Sequence, residues 1–202
     1  RAARGCLMPR PTELDLTDLD AQPWRQVPMP GSNGGIELVP LAAPEGHFTI
    51  LGRFPAGFER LTPGGYHASE EVLLLDGELE LEGRTYRRGD LVVVPAEFLR
   101  TDMRSPQGCV VLAWFAGPAA FRPADALEAC TDVITSVHVS DALGPGDSGP
   151  LISSGVAAWS VGDELVAGAS GPVLEVVGAG LDRWAHDPSD PPAAGDLVRR
   201  GA

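Results

Sequence analysis

From Phe48 to Gly117 short apolar runs alternate with tight polar breaks. ILGRF ends at Pro55-Ala56-Gly57, and EVLLL meets Asp76-Gly77, a two-residue hairpin signal between strand-like runs. ELELEG alternates leucine with glutamate, the pattern of a strand with one buried and one wet face. RTY reaches another turn at Arg88-Gly89-Asp90, LVVVP stops at Pro95, and CVVLAWF closes the series. About six short strands at this spacing predict an antiparallel sandwich or barrel, an all-β fold.

The flanks carry weaker patterns. Residues 1–20 read as a flexible N-terminal segment in which TELDLTDLD forms one helical turn or an arm. The barrel is placed over residues 21–118. Its first part is broken by prolines and the Gly31–Gly35 run, while Trp24 and IELVPL supply an extra strand and an aromatic plug. Residues 119–202 form a C-terminal extension. Pro123–Ala129 predicts a helix with proline in its first turn. TDVITSVHVS (131–140) predicts a strand and LGPGDSGP a loop, and the runs LISSGVAAWSV, ELVAGA and PVLEVVGAGL follow before an irregular tail from Asp182. No internal repeat of the first barrel is visible, so the extension is expected to add strands to the sheets or build a dimer contact.

Composition narrows the class. A chain of 202 residues with 44 % hydrophobic content can bury a real core as one domain, or one plus a partial second. Its 6 % aromatic share means that the core leans on Leu, Val and Ala. All 15 basic residues are arginine, which with abundant Ala, Gly and Pro suggests a high-GC, actinobacterial source. A net charge of −13, with arginines no more clustered than Arg87-Arg88 and Arg199-Arg200, argues against nucleic acid and anionic membrane as partners. No apolar run is long enough to span a bilayer, and RAARGCLMP lacks the apolar centre of a signal peptide, so a cytoplasmic protein is expected. Cys6, Cys109 and Cys130 form no CxxC pair, which fits a reducing compartment and no structural zinc, with Cys109 as core filling.

The central stretch resembles a cupin, a small jelly-roll β-barrel. The first cupin motif has the form G-x5-H-x-H-x3/4-E-x6-G, and its register falls on Gly57, Pro63, Gly65, Glu70 and Gly77. The second, G-x5-P-x-G-x2-H-x3-N, falls on Gly89, Pro95, Glu97, Arg100 and Arg104. RFPAGF followed by HASEEVLLLDGELE is most similar to the ChrR-like cupin group. The resemblance implies a metal held by two histidines and a glutamate from the first motif and a histidine from the second. Here those corners are Pro63, Gly65, Glu70 and Arg100, and a one-residue slip brings in only His67. Catalytic metal sites ordinarily need three protein ligands, and arginine cannot lose its proton to become one. The expectation is therefore a barrel without a cofactor, the metal reading staying open, and by resemblance a homodimer.

Candidate chemistry follows from that register. Glu70 points inward and would act as a general acid or base, or form an internal ion pair with Arg100. Arg100 and Arg104 offer planar forks for an anionic substrate, and Arg53 faces the lumen as well. Tyr66 and His67 complete a proton-moving cluster with Glu70, and Trp114 contributes a binding wall. His47, His138 and His186 are scattered, His138 as a sheet residue. Gly146-Asp147-Ser148-Gly149-Pro150 resembles the nucleophile segment of chymotrypsin-like proteases, but the partner segments are missing and a turn accounts for it. Gly178–Gly180 lacks the strand–turn–helix context of a nucleotide site. The leading expectation is an enzyme that isomerises, cyclises or dehydrates a small, partly apolar anion without metal, in a natural-product setting such as polyketide tailoring. The alternatives are a metal-dependent cupin dioxygenase that adds His47 or Glu59 to His67 and Glu70, and a non-enzymatic binding or regulatory module.

Overall fold

Residues 9–140, 148–162 and 171–201 are described in a computed structural model, and β-strands dominate them. In chain order these are β1 (Glu13–Asp15), β2 (Arg25–Pro28), β3 (Gly35–Leu41), β4 (Phe48–Phe54), β5 (Phe58–Arg60) and β6 (Gly64–Gly65). β7 (Glu70–Leu81), β8 (Arg84–Arg87), β9 (Asp90–Val94), β10 (Met103–Ser105), β11 (Cys109–Phe115) and β12 (Arg122–Pro123) follow. The last six are β13 (Thr135–His138), β14 (Gly149–Ser153), β15 (Ala157–Val161), β16 (Val173–Val177), β17 (Arg183–His186) and β18 (Leu197–Gly201). The all-β expectation holds: the sheets are antiparallel and layered as in a jelly roll. Among the described residues no helix is long and apolar enough to cross a membrane.

The main sheet has the order β13-β9-β7-β11-β4-β3-β2, with β5, β8 and β10 branching from it through β7. β7 is the corner. Its first half pairs with β9 and β11, and its second half with β8 and β10. Between Asp76↔Val110 and Leu74↔Val111 the ladder skips a residue, a β-bulge that bends the strand and flips its alternation. Val72 and Leu74 before the bulge and Leu79 and Leu81 after it therefore share one core. Asp76-Gly77 is thus not the hairpin that the sequence suggested. Gly77 (φ +70°) sits where a Cβ would lie 2.1 Å from the Gly108 carbonyl oxygen, so the dipeptide makes a bend against β11. The reversal comes at Glu82 (φ 49°) and Gly83 (φ 75°), a two-residue turn with both residues left-handed between Leu81 and Arg84.

The central strands read as near-continuous apolar runs because both their faces are buried. Val72, Val92, Val111, Ala113 and Phe115 face the interior of the first unit. Leu73, Leu91, Leu112 and Trp114 face the other way, against Trp159, Val177, Trp184 and Leu197. Those partners come from a second sheet of six strands, order β1-β17-β16-β18-β15-β14. The C-terminal extension thus supplies most of a separate layer over the outer face of the main sheet, and of its described strands only β13 joins that sheet, beside β9. Three sequence expectations are corrected. TELDLTDLD supplies β1, paired with β17, instead of a helical turn or free arm. Pro123–Ala129 holds one 3-10 turn, Ala124–Ala126, with no residue buried, because no apolar stripe anchors a longer helix. The tail beyond Asp182 contains β17 and β18. ELVAGA, Gly146-Asp147 and Cys6 lie outside the described residues.

Candidate functional site

A cavity of about 340 Å³ lies inside the first unit, walled by Ile50, Val72, Val111 and Phe115 on one side and Leu79 and Met103 on the other. Among the described residues, Glu70 and Arg100 are the only charged side chains in its lining. Glu70 opens β7, pairing with Val94 and Phe115, which sets its side chain on the same face as Val72. Arg100 is fixed by two backbone hydrogen bonds with Gly64, N–H to carbonyl in each direction at 2.8 and 3.0 Å. On its other side Gly64 packs so close to β12 that a Cβ there would lie 2.2 Å from the Arg122 carbonyl oxygen. Arg100 Nη1 donates to Glu70 Oε2 at 2.5 Å, and both side chains are buried. The guanidinium lies 4.7 Å over the Tyr66 ring, while Arg100 Nε is buried with no hydrogen-bond partner. Tyr66 packs edge-on against Phe115 and Phe121, at 5.3 and 5.8 Å. An apolar wall around one acid–guanidinium pair can hold a small organic molecule and present it with a carboxylate oxygen and N–H donors.

The structure brings Glu70, Arg100 and Tyr66 together and separates the other candidates from them. His67 is half exposed, and its Nδ1 lies 2.7 Å from Glu97 Oε1, outside the cavity lining. The Glu128 backbone N–H holds the Glu97 carboxyl below its usual range, and His67 adds to that. Arg104 on β10 bonds Asp102 (2.6 Å) and Glu59 (2.8 Å) at the surface, so it clamps β10 to β5 outside the cavity lining. Arg53 does not face the lumen. The alternation along β4 puts it with Thr49 and Leu51 on the outer face, over Trp24 (4.3 Å) and bonded to Asp20 and Glu37. Trp114 is likewise outward, edge-on to Trp159 at 4.8 Å between the sheets. His47 is outside the cavity lining and His138 pairs with Asp90 on the β9–β13 edge.

Two groups escaped the sequence reading. Arg60 is 2 % exposed and sits behind the cavity wall. The signal was FER: with Phe58 inward at 1 %, the residue two positions on shares its face. Glu71 points opposite to Glu70, into the layer between the sheets. Its Oε2 accepts from Arg199 Nε (2.6 Å) and Trp159 Nε1 (3.0 Å), and its Oε1 from the Ser154 hydroxyl. Arg199 Nη1 also reaches Glu175 at 3.4 Å, and burial pushes the Glu175 carboxyl up. Adjacent glutamates on a strand must point opposite ways, so EEVLLL between two cores implies both burials.

The residues at the cupin metal corners do not fit a divalent cation. Glu70, the one carboxylate there, is engaged by Arg100, and a guanidinium has no lone pair to give. His67 is turned outward, His47 lies elsewhere and Glu59 is bonded to Arg104, so these side chains do not converge. Among the described residues no group of three or more His, Cys, Asp or Glu is placed to hold a metal.

A family model described as the ChrR cupin-like domain matches residues 12–120. None of the curated proteins matches the chain. Among solved structures, a candidate dioxygenase from Nostoc punctiforme is 14 % identical with a TM-score of 0.58, covering 96 % of this chain and 80 % of that one. The protein Ylba from E. coli is 14 % identical with a TM-score of 0.50, covering 94 % and 82 %. An acetylacetone dioxygenase from Acinetobacter johnsonii is 20 % identical with a TM-score of 0.40, covering 50 % and 80 %. The first of these likenesses spans both sheets and shows the fold alone.

Proposed function

We infer, for a chain that belongs to the ChrR cupin-like domain family, that the cavity binds a small, partly apolar organic anion and moves a proton on it without a metal. The observation that carries this reading is the Glu70–Arg100 pair inside an otherwise apolar cavity, where cupins would hold a metal ion. Glu70 is the base. It takes a proton from an acidified C–H of the ligand and returns it at another atom, which is isomerisation, or at a leaving oxygen, which is dehydration. The guanidinium N–H groups of Arg100 stabilise the negative charge that develops as the proton leaves, in a site from which the apolar wall excludes water. His67 and Arg104 have no part in this step, because neither lines the cavity.

The test is proton exchange. The small acids that co-purify with the protein are identified by mass spectrometry and returned to it in D2O, and deuterium entry at carbon is followed by NMR. Wild-type protein exchanges the C–H. Glu70→Gln slows exchange by about 10²–10⁴-fold, the usual weight of general base catalysis, while binding persists. Exchange at the wild-type rate in Glu70→Gln overturns the proposal.

A further inference from the structure

The ion pair at the cavity wall is internally balanced, but a second guanidinium behind it is not. Arg60 is 2 % exposed on β5. Its side-chain partners are the Tyr66 hydroxyl at 3.0 Å from Nη1, the Met103 sulfur at 3.3 Å from Nη2, and the faces of Phe121 (4.6 Å) and Tyr66 (5.7 Å). Among the described residues none of its partners is a carboxylate. Tyr66, Met103 and Phe121 are all part of the cavity wall, so one layer of side chains separates this charge from the cavity. With Arg100 matched to Glu70, the site carries one positive charge in excess. Cation–π contacts offset part of the cost of burying a guanidinium. An anion would offset far more.

The polarity of one hydrogen bond shows how that charge reaches a ligand. A guanidinium only donates, so the Tyr66 oxygen is the acceptor from Arg60 and its own O–H proton is left for another partner. We propose that Arg60, acting through Tyr66, makes the cavity selective for monoanions: the Tyr66 hydroxyl donates to a carboxylate or enolate oxygen of a mostly apolar ligand, and Arg60 supplies the balancing charge. Arg60 is a positioning residue and Tyr66 the contact. This rests on the reading of the cavity as a small-molecule site, and it transfers the selection of the anion from Arg100 to Arg60.

The experiment uses two anions and their neutral isosteres, benzoate and hexanoate against benzamide and hexanamide, titrated by calorimetry into the full chain. Wild-type protein prefers the anions by at least about tenfold, the worth of one hydrogen bond to a charged group. Arg60→Met and Tyr66→Phe each bring that ratio to about one, the anions losing far more affinity than the amides. Tyr66→Phe keeps the ring packing, so it decides the matter even where Arg60→Met folds poorly. Amides that bind as well as the acids in wild-type protein, or a preference that survives Tyr66→Phe, overturns the Arg60 inference and leaves the cavity reading standing. No binding by any of the four probes overturns both.

Discussion

Arg100 and Glu70 stabilise each other only as a pair. Arg100→Met leaves a buried carboxylate without its partner, a loss of about 3–5 kcal/mol, and is expected to lower Tm strongly. Adding Glu70→Gln to that variant restores much of the stability, because the uncompensated charge is gone. Thermal melts of the two singles and the double close the cycle, and additive losses would contradict the pairing. Cys109 shows burial acting on a single group. Burial pushes its thiol up to about 11, so at pH 8 it stays protonated. Iodoacetamide followed by peptide mapping is expected to label the half-exposed Cys130 and spare Cys109. Glu175 gives the pH dependence. Its folded-state carboxyl is raised by burial, so the folded chain holds that proton more tightly than the unfolded chain does. The contribution is full below the unfolded value and is lost as pH rises through the folded one. Glu175→Gln should therefore reduce the fall in Tm on going from acidic to neutral pH, and an unchanged pH slope would refute this. At this scale the sequence showed Glu70 and Arg100 through motif register. It did not show Arg60, because the alternation that sets it on the face of Phe58 spans only the three residues of β5.

At the element scale the turns were legible but not their roles. Asp76-Gly77 and Glu82-Gly83 are both carboxylate–glycine pairs within one apolar run, and local chemistry prefers the first as a hairpin. The strand that passes behind decides otherwise: β11 pairs across Gly77, so β7 bends there and runs on instead of reversing. That partner lies more than thirty residues on, so no local window contains it. Gly77→Ala must meet a backbone oxygen as well as the left-handed strain, whereas Gly83→Ala meets open space. The first is expected to cost well over about 1 kcal/mol and the second about that much, read from denaturant midpoints. The proline at 123 misled in the same way. It suits a first helical turn, but without an apolar stripe only three residues turn, in 3-10 form.

Over the whole molecule, the two-sided burial of the main sheet explains why its strands lack alternation and why the second sheet exists. Leu73, Leu112 and Trp114 would face water without it. The sequence displayed these continuous runs but not what covers them, since no repeat marks the second layer. The charges between the layers are held to the same standard as Glu70 and Arg100. Arg199→Met strands Glu71 and Glu175 together and should lower Tm far more than Arg104→Met, whose partners stay in water. The first unit, meanwhile, keeps the cupin scaffold, and our proposal puts the Glu70–Arg100 pair where cupins place a metal ion. Elemental analysis of purified wild-type protein beside Glu70→Gln tests that replacement most directly. Iron, manganese, nickel and zinc are each expected well below one per chain, with no change in the variant. About one metal ion per chain, lost on Glu70→Gln, would contradict it.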